Sequence, residues 1–267
     1  MGQVKINNKK SNYYLHLTTS KILSLILPII ILISWFVISK FKVFSSAILP
    51  NIGQVIESFA SQLASGQLIN DILISFIRVA QGYLIAVILG INLGVLMGIN
   101  NNINSFFYLT LTSIRQIPML AWIPLIVLWF GIGETSKIIV IVLAAFFPIL
   151  INTISGIKST DFKLIEVGKM YNLSKFKLFT KIYLPSAIPS IFVGLKLGLG
   201  ISWMAVVGAE IIAATSGIGY RINDARSLMQ PEVVFVGMIV IAIIGLIMEQ
   251  ILNKIAKILT PWMNKKA

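Results

Sequence analysis

VAQGYLIAVILGINLGVLMGINNNINSFFYLTLTSI, residues 79–114, runs for 36 residues without a charge. A helix needs about 20 apolar residues to cross the hydrocarbon core of a bilayer, so this stretch is too long for one span. Asn100, Asn101, Asn102 and Asn104 cluster near its middle. Asparagine side chains bond to nearby backbone and favour turns, so the chain is expected to reverse there. That reading places one span at 79–99 and the next at 106–130. Downstream, further spans fall at Ile138–Ile157 and at about 187–211 and 233–253. Upstream, Ile22–Ser39 is an 18-residue uncharged run preceded by Lys5, Lys9, Lys10 and Lys21. It exceeds the roughly 7–15 apolar residues of a cleavable signal peptide and reads as a retained first span. Residues 40–78 are mixed in character, with Lys40, Lys42, Glu57 and Asp71, and read as an external loop carrying a short amphipathic helix.

The composition agrees. Of the 267 residues, 57% are hydrophobic and only 12% charged. Such a chain cannot cover itself with polar surface, which excludes a soluble globular enzyme and a disordered tail. There is no cysteine and one histidine, His16, so thiolate and histidine-rich metal centres are excluded. The net charge of +13 would suggest nucleic acid in a soluble protein, but here it is distributed by topology. Lys5, Lys9, Lys10 and Lys21, the loop lysines 158, 163, 169, 175, 177 and 181, and Lys254, Lys257, Lys265 and Lys266 fall on one face. Only Lys40, Lys42, Lys137, Arg221 and Arg226 fall on the other. The positive-inside rule puts both termini and the 158–186 loop in the cytoplasm. The expected fold is an all-α membrane protein of six transmembrane helices, with a cytoplasmic segment 1–21 and a single transmembrane domain 22–267.

The 158–186 loop is longer than a connection requires and has internal order. Asp161 can cap a helix whose positive end its charge suits. Phe162, Leu164 and Ile165 alternate with Lys163, Glu166 and Lys169 at amphipathic spacing. Asn172 suits the left-handed position that ends a helix. Ser174 can cap a second short helix with Leu178, Phe179 and Ile182 on one side, which Pro185 and Pro189 are expected to stop before the next span. This is a helix–turn–helix presented by a membrane protein; a basic helix pair lying on the membrane surface has the same periodicity.

These residues resemble a motif of permease subunits of ATP-binding-cassette (ABC) importers: Glu-Ala-Ala, a glycine after three residues, and Ile-x-Leu-Pro after nine more. Here Glu166-Val167-Gly168, Asn172 and Ile182-Tyr183-Leu184-Pro185 stand at every required spacing. Val167, Gly168 and Asn172 depart from the pattern; glycine in place of alanine weakens a helix by about 1 kcal/mol. Ser75-Phe76-Ile77-Arg78-Val79, Arg115-Gln116-Ile117-Pro118, Ala121-Trp122-Ile123-Pro124-Leu125, Gly194-Leu195-Lys196, Ala209-Glu210 and Ser216–Tyr220 extend the resemblance over most of the chain, toward the branch serving nitrate, sulfonate and taurine importers. The resemblance implies a type I importer permease in the bacterial cytoplasmic (inner) membrane. It implies a second copy of the chain forming a homodimer, two separate ATPase subunits that use ATP and Mg, and an extracytoplasmic binding protein. It also implies that Leu164, Glu166, Val167, Gly168, Tyr171, Asn172, Ile182, Leu184 and Pro185 form the seat for the ATPase. The chain carries no Gly-x-x-x-x-Gly-Lys-Ser/Thr loop, no paired catalytic carboxylates and no metal-ligand cluster, so no cofactor is expected on it and hydrolysis falls to the partner.

Charges within spans cost several kcal/mol and call for a reason. Arg115 lies nine residues into the span read at 106–130, about 13–14 Å deep at 1.5 Å per residue, and Lys196 lies at similar depth in the next but one. Either they line a pathway favouring an anion, or they snorkel or bond to carbonyls that Pro118 and Pro124 free. Glu210, near the outer end of its span, either pairs with Arg221 or Arg226 at an external gate or is an interfacial carboxylate. Trp122 and Trp203 either face the pathway or pack, whereas Trp129 reads as an interfacial belt residue. Gly90, Gly94 and Gly98 recur every four residues, which lets another helix approach. Ser216–Tyr220 reads as a gate, a docking loop or a turn. The leading substrate class is a small anion (nitrate, an alkanesulfonate or taurine), with a heterocyclic vitamin precursor as the alternative. A stand-alone secondary transporter explains the buried charges but not the two-helix loop, and internal repeats of the kind such transporters often show are not evident.

Overall fold

The computed structural model describes Leu23 and residues 26–259. The described residues are mostly helical and contain no strand. They comprise α1 (Ile26–Lys40), α2 (Ile52–Ala64), α3 (Gln67–Ile99), α4 (Asn101–Gln116), α5 (Met119–Phe130), α6 (Glu134–Lys158), α7 (Phe162–Met170), α8 (Lys175–Leu178), a π-helical turn (Phe179–Tyr183), α9 (Leu184–Ala213), α10 (Ile218–Ser227) and α11 (Pro231–Leu259). Segment 1–21, with its lysines and His16, and Lys265 and Lys266 lie outside the described residues.

Helix α6 is the axis of the bundle, and small residues set its neighbours against it. Gly82 meets Ile141, Gly90 meets Ile149, Gly94 meets Thr153 and Gly98 meets Ile157. A β-carbon on any of these glycines would come within 2.7–2.9 Å of the facing side chain. The four-residue glycine spacing is therefore an intrachain contact, and since both helices advance together α3 and α6 are parallel. On its other side α6 packs antiparallel against α9, with Gly156 against Ala187 and Ser190, and Gly194 and Gly198 against Asn152 and Ile149. Buried Val79, Ile141, Val206, Val236 and Val240 join α3, α6, α9 and α11 in one core.

The parallel pairing settles what lies between α3 and α6. The chain must return across the bundle between residues 100 and 133. It does so through α4 and α5, which are bent by 98° at Ile117–Pro118. The span read as one helix at 106–130 is thus a broken span. Proline disfavours helical backbone in the residue before it, and Ile117 is extended at φ −77°, ψ 122°. Pro124, expected to break the span too, stays inside α5. The turn at the asparagines is as read: Asn100 ends α3, and its side chain accepts from the backbone N–H of Asn102 and Ile103 to start α4.

Two further boundaries differ from the sequence reading. Residues 67–78, taken as the end of loop 40–78, already belong to α3. Pro185 does not stop the second loop helix: α8, the π turn and α9 form one continuous rod, Lys175–Ala213. The Leu184 N–H reaches back to the Phe179 carbonyl, and the wider turn accommodates the proline at the start of α9. Together α3, α4 with α5, α6, α9 and α11 make five crossings. The described part of the first span, α1, is shorter and largely exposed, and is pinned by Trp35, whose indole donates to the Pro50 carbonyl at 2.9 Å.

Candidate functional site

At one end of the bundle, hereafter the loop end, α7 and α8 form the expected helix–turn–helix. The Asp161 side chain accepts from the Lys163 N–H, and Ser174 accepts from the Lys177 N–H. Asn172 has φ +50°. The Leu173 N–H bonds to the Gly168 carbonyl and the Asn172 N–H to that of Lys169, which together make a Schellman motif. Gly168 is buried, and a β-carbon there would lie 2.6 Å from Ile182 and 2.7 Å from Leu178. This glycine therefore does more than weaken a helix: it lets α7 close on the rod, with only flexible side-chain ends in the way of a larger residue. Ile182, Leu184 and Pro185 are half-buried at this root. Leu164, Glu166, Val167, Tyr171 and Asn172 are exposed, and Met170 and Tyr171 are more than three-quarters uncovered. The loop thus presents an apolar face with one carboxylate, away from the bundle.

Arg115 and Trp122 come together at the α4–α5 elbow. Arg115 borders two adjoining clefts of about 280 and about 390 Å³, the first lined by α3, α4 and α6 and the second by α4, α5, α6 and α9. Trp122 lines the second and Lys158 the first, and no carboxylate lines either. Lys196, Trp203 and Glu210 are elsewhere. Lys196 is half-buried and lines neither cleft, although its neighbour Leu197 and Ile201 of the same helix line the second. Trp203 is buried, and its indole donates to the Ile241 carbonyl of α11 at 3.0 Å.

Glu210 corrects the sequence reading most. It is fully buried and pairs with neither Arg221 nor Arg226. Arg221 is taken by Asp71 at 2.9 Å, and Arg226 donates to Asn223. Glu210 instead accepts from Arg78 of α3 at 2.8 Å, from Ser75 and from the Gly219 N–H. Arg78 spends all five of its N–H bonds: Nε and Nη2 on Glu134, Nη1 on Glu210 and the Ser216 carbonyl, and Nη2 again on the Ser216 hydroxyl. Lys137, also buried, bonds to Glu134 at 2.9 Å. Burying charges is costly unless they are paired and hydrogen-bonded, and here they are. Ser216–Tyr220 is the start of α10 rather than a free loop. The N–H groups of Gly217, Ile218 and Gly219 are accepted by Asp71, Ser75 and Glu210. These are the orphan donors of a helix start, and carboxylates suit its positive pole. Gly217, at φ +105°, takes a backbone conformation that other residues avoid. Asp71, Ser75, Arg78, Glu134 and Lys137 are given no site role by the sequence reading, although Ser75 and Arg78 stand in a stretch that carries the resemblance. The available signal was the spacing of Asp71, Ser75, Arg78 and Gly82, which puts polar and small residues on one face of a helix.

The family model of the binding-protein-dependent transport system inner membrane component matches residues 82–265, from the glycine stripe of α3 through the two-helix loop to α11. The chain belongs to this permease family. A Bacillus subtilis (strain 168) protein named as an aliphatic sulfonates transport permease, SsuC, is 38% identical over 90% of this chain and 87% of its own length. The taurine transport system permease protein TauC of Escherichia coli (strain K12) is 33% identical over 97% of this chain and 96% of its own. The bicarbonate transport system permease protein CmpB of Synechococcus elongatus is 36% identical over 66% of this chain and 64% of its own. A solved amino acid ABC transporter with histidines shares the fold, with a TM-score of 0.59 at 18% identity, covering 75% of this chain and 96% of that one. This permease is therefore a multi-pass inner-membrane subunit of an ABC importer, in the branch that its sequence motifs resembled.

Proposed function

We propose that this permease works as a homodimer importing a small anion of the sulfonate and taurine class. Two ATPase subunits dock on the 158–186 loop and bind and hydrolyse ATP with Mg, while a binding protein delivers the solute at the opposite end. The orientation follows from the lysines, which gather at the loop end and put it in the cytoplasm. Leu164, Val167 and Tyr171 supply the apolar part of the ATPase seat and Glu166 its polar contact. Gly168, Ile182, Leu184 and Pro185 join the seat to α9, so that closure of the ATPase is felt by the spans through differential contacts.

For the substrate class, the carrying observation is the pair of clefts beside the elbow: Arg115 and Lys158 face them and no carboxylate does. Cations unopposed in a cleft favour an anion, which agrees with what the named relatives transport. Trp203 and Glu210 are bonded to Ile241 and Arg78 away from these clefts, and Lys196 does not line them. The test uses the complete importer in proteoliposomes with its own binding protein. Taurine, an alkanesulfonate, nitrate and bicarbonate are offered alongside an uncharged heterocyclic vitamin precursor, and ATP-dependent uptake is followed. One anion is expected to be taken up, with Arg115→Gln lowering its uptake about tenfold, the worth of one ionic contact of some 1.4 kcal/mol. Uptake of the heterocycle alone, or full anion uptake by Arg115→Gln, refutes the substrate reading.

A further inference from the structure

A third cavity, of about 560 Å³, lies at the loop end between the asparagine turn and the two-helix loop. Lys169 and Lys175 border it, both exposed, with Asn101 and Asn102 on the opposite wall. Its deeper lining is the half-buried Phe179 and Tyr183. No carboxylate lines it, and neither lysine makes an ion pair among the described residues. The Tyr183 hydroxyl likewise has no hydrogen-bond partner among them, though its neighbours Leu184 and Ile157 are packed. None of this is needed to seat an ATPase on the exposed face of α7, and none of it faces the elbow clefts.

The cavity's level in the membrane decides what fits it. It sits at the turn from α3 to α4, where Asn100, Asn101 and Asn102 line it. Such a run of polar side chains belongs at headgroup level rather than in hydrocarbon, which places the cavity there. A ligand there must be apolar on one side and anionic on the other. Basic pockets at that level are suited to anionic lipid headgroups. We infer that this cavity holds the headgroup and glycerol region of an anionic phospholipid such as phosphatidylglycerol. Lys169 and Lys175 bind its phosphate, the Asn101 and Asn102 amides and the Tyr183 hydroxyl bond to its glycerol and ester oxygens, and Phe179 packs against the first methylenes. Because one wall is the turn of the bundle and the other is α7 and α8, the bound lipid bridges the ATPase seat to the spans. The inference needs only the membrane placement of the bundle and not the substrate class.

The full-length permease in neutral detergent is titrated with phosphatidylglycerol and, separately, with phosphatidylcholine of the same chains, and bound lipid is counted by native mass spectrometry. One phosphatidylglycerol per chain is expected, preferred over phosphatidylcholine by about tenfold or more, since each lysine near an anionic surface is worth about fivefold. Lys169→Gln with Lys175→Gln should bring the two lipids to parity, and Lys169→Arg with Lys175→Arg should keep the preference. Lys254→Gln with Lys257→Gln, which removes the same charge from α11, should also keep it. Either single glutamine variant gives a partial loss and serves if the double variant is not monodisperse. The proposal is overturned by equal binding of the two lipids to the unaltered protein. It is equally overturned by a preference that survives the double glutamine change, or one lost on changing Lys254 and Lys257. Displacement of the lipid by millimolar inorganic phosphate also overturns it, since the cavity would then be a site for the free anion.

Discussion

At the end of the bundle opposite the loop, three carboxylates and three cations from four helices are consumed on one another. Asp71 and Arg78 come from α3, Glu134 and Lys137 from α6, Glu210 from α9 and Arg221 from α10. At the loop end no ion pair occurs among the described residues, and α7 is held by a Schellman turn and by Leu173, Leu178 and Ile182 around Gly168. The difference is one of physical kind. The network has one good arrangement, because Asp71, Arg78, Lys137 and Glu210 are buried and moving a partner away from any of them strands a charge, even though Glu134 itself is exposed. Apolar contacts between flexible side chains have many arrangements of similar energy, and exposed polar groups stay solvated in all of them. The charged end is therefore the fixed end, tying α3, α6, α9 and α10 into one body, and the loop end is the compliant one. Substitutions should divide accordingly: at the fixed end they cost stability, and at the loop end they cost coupling to a partner while the bundle stands.

The largest effect is expected at Glu210. Glu210→Ala strands one of the five Arg78 N–H groups and uncaps the Gly219 N–H, both buried, and takes the acceptor from Ser75, at a cost of about 3–5 kcal/mol in all. Detergent-solubilised protein should lose most of its monodisperse fraction, read by fluorescence-detected gel filtration after heating, and Glu210→Gln should fall between. A Glu210→Ala protein as heat-stable as the unaltered one would remove the distinction between the ends. Next is Gly219→Ala, whose β-carbon would come 2.5 Å from the Val207 carbonyl. Backbone cannot yield as a side-chain tip can, so about 1–3 kcal/mol is expected, measured by the same heating series. Smaller still is the Asp71–Arg221 pair, since the Arg221 side chain is 20% exposed. A double-mutant cycle of Asp71→Asn and Arg221→Gln should return a coupling of about 1 kcal/mol. On the loop side, Glu166→Lys should leave stability within about 0.5 kcal/mol, as an exposed substitution does. It should nonetheless strip the ATPase from the purified complex, which is checked by the subunit ratio after affinity purification.

The features legible in the sequence are those whose cause is local. Uncharged runs gave the spans, and Asp161, Asn172 and Ser174 each act within three residues of themselves, so their caps stand where expected. The four-residue spacing of Gly90, Gly94 and Gly98 predicted a close helix contact, though not that α6 makes it. The ion network was hidden because its members are far apart: Arg78 and Glu210 are separated by 132 positions. Hydropathy also misassigned residues 67–78 to a loop, since a polar face reads as solvent-exposed unless its partners are known. The clefts beside the elbow depend on the direction of the 98° bend, and a proline announces a break without giving its angle. Arg115 and Trp122 lie beside that break and come together, whereas Lys196, similar in depth, lines neither cleft.

The finest test of the compliant end is the turn itself. Asn172 holds φ +50° where the related motif has glycine. A side chain in the left-handed region costs roughly 1–2 kcal/mol unless, as in asparagine, it can bond locally. Glycine has no such cost but loses more backbone freedom on folding. These terms nearly cancel, so Asn172→Gly should change stability by no more than about 0.5 kcal/mol and leave ATPase binding intact. Asn172→Ala puts a β-carbon into the left-handed region without asparagine's tolerance of it and should loosen the Leu173–Gly168 and Asn172–Lys169 bonds that aim α7. The bundle would keep its heat stability, because nothing in the ion network is touched, but less ATPase should be retained than with Asn172→Gly. If alanine and glycine retain the ATPase equally, the aim of α7 is set by the packing around Gly168 rather than by the turn. The compliant end would then be held by side chains alone.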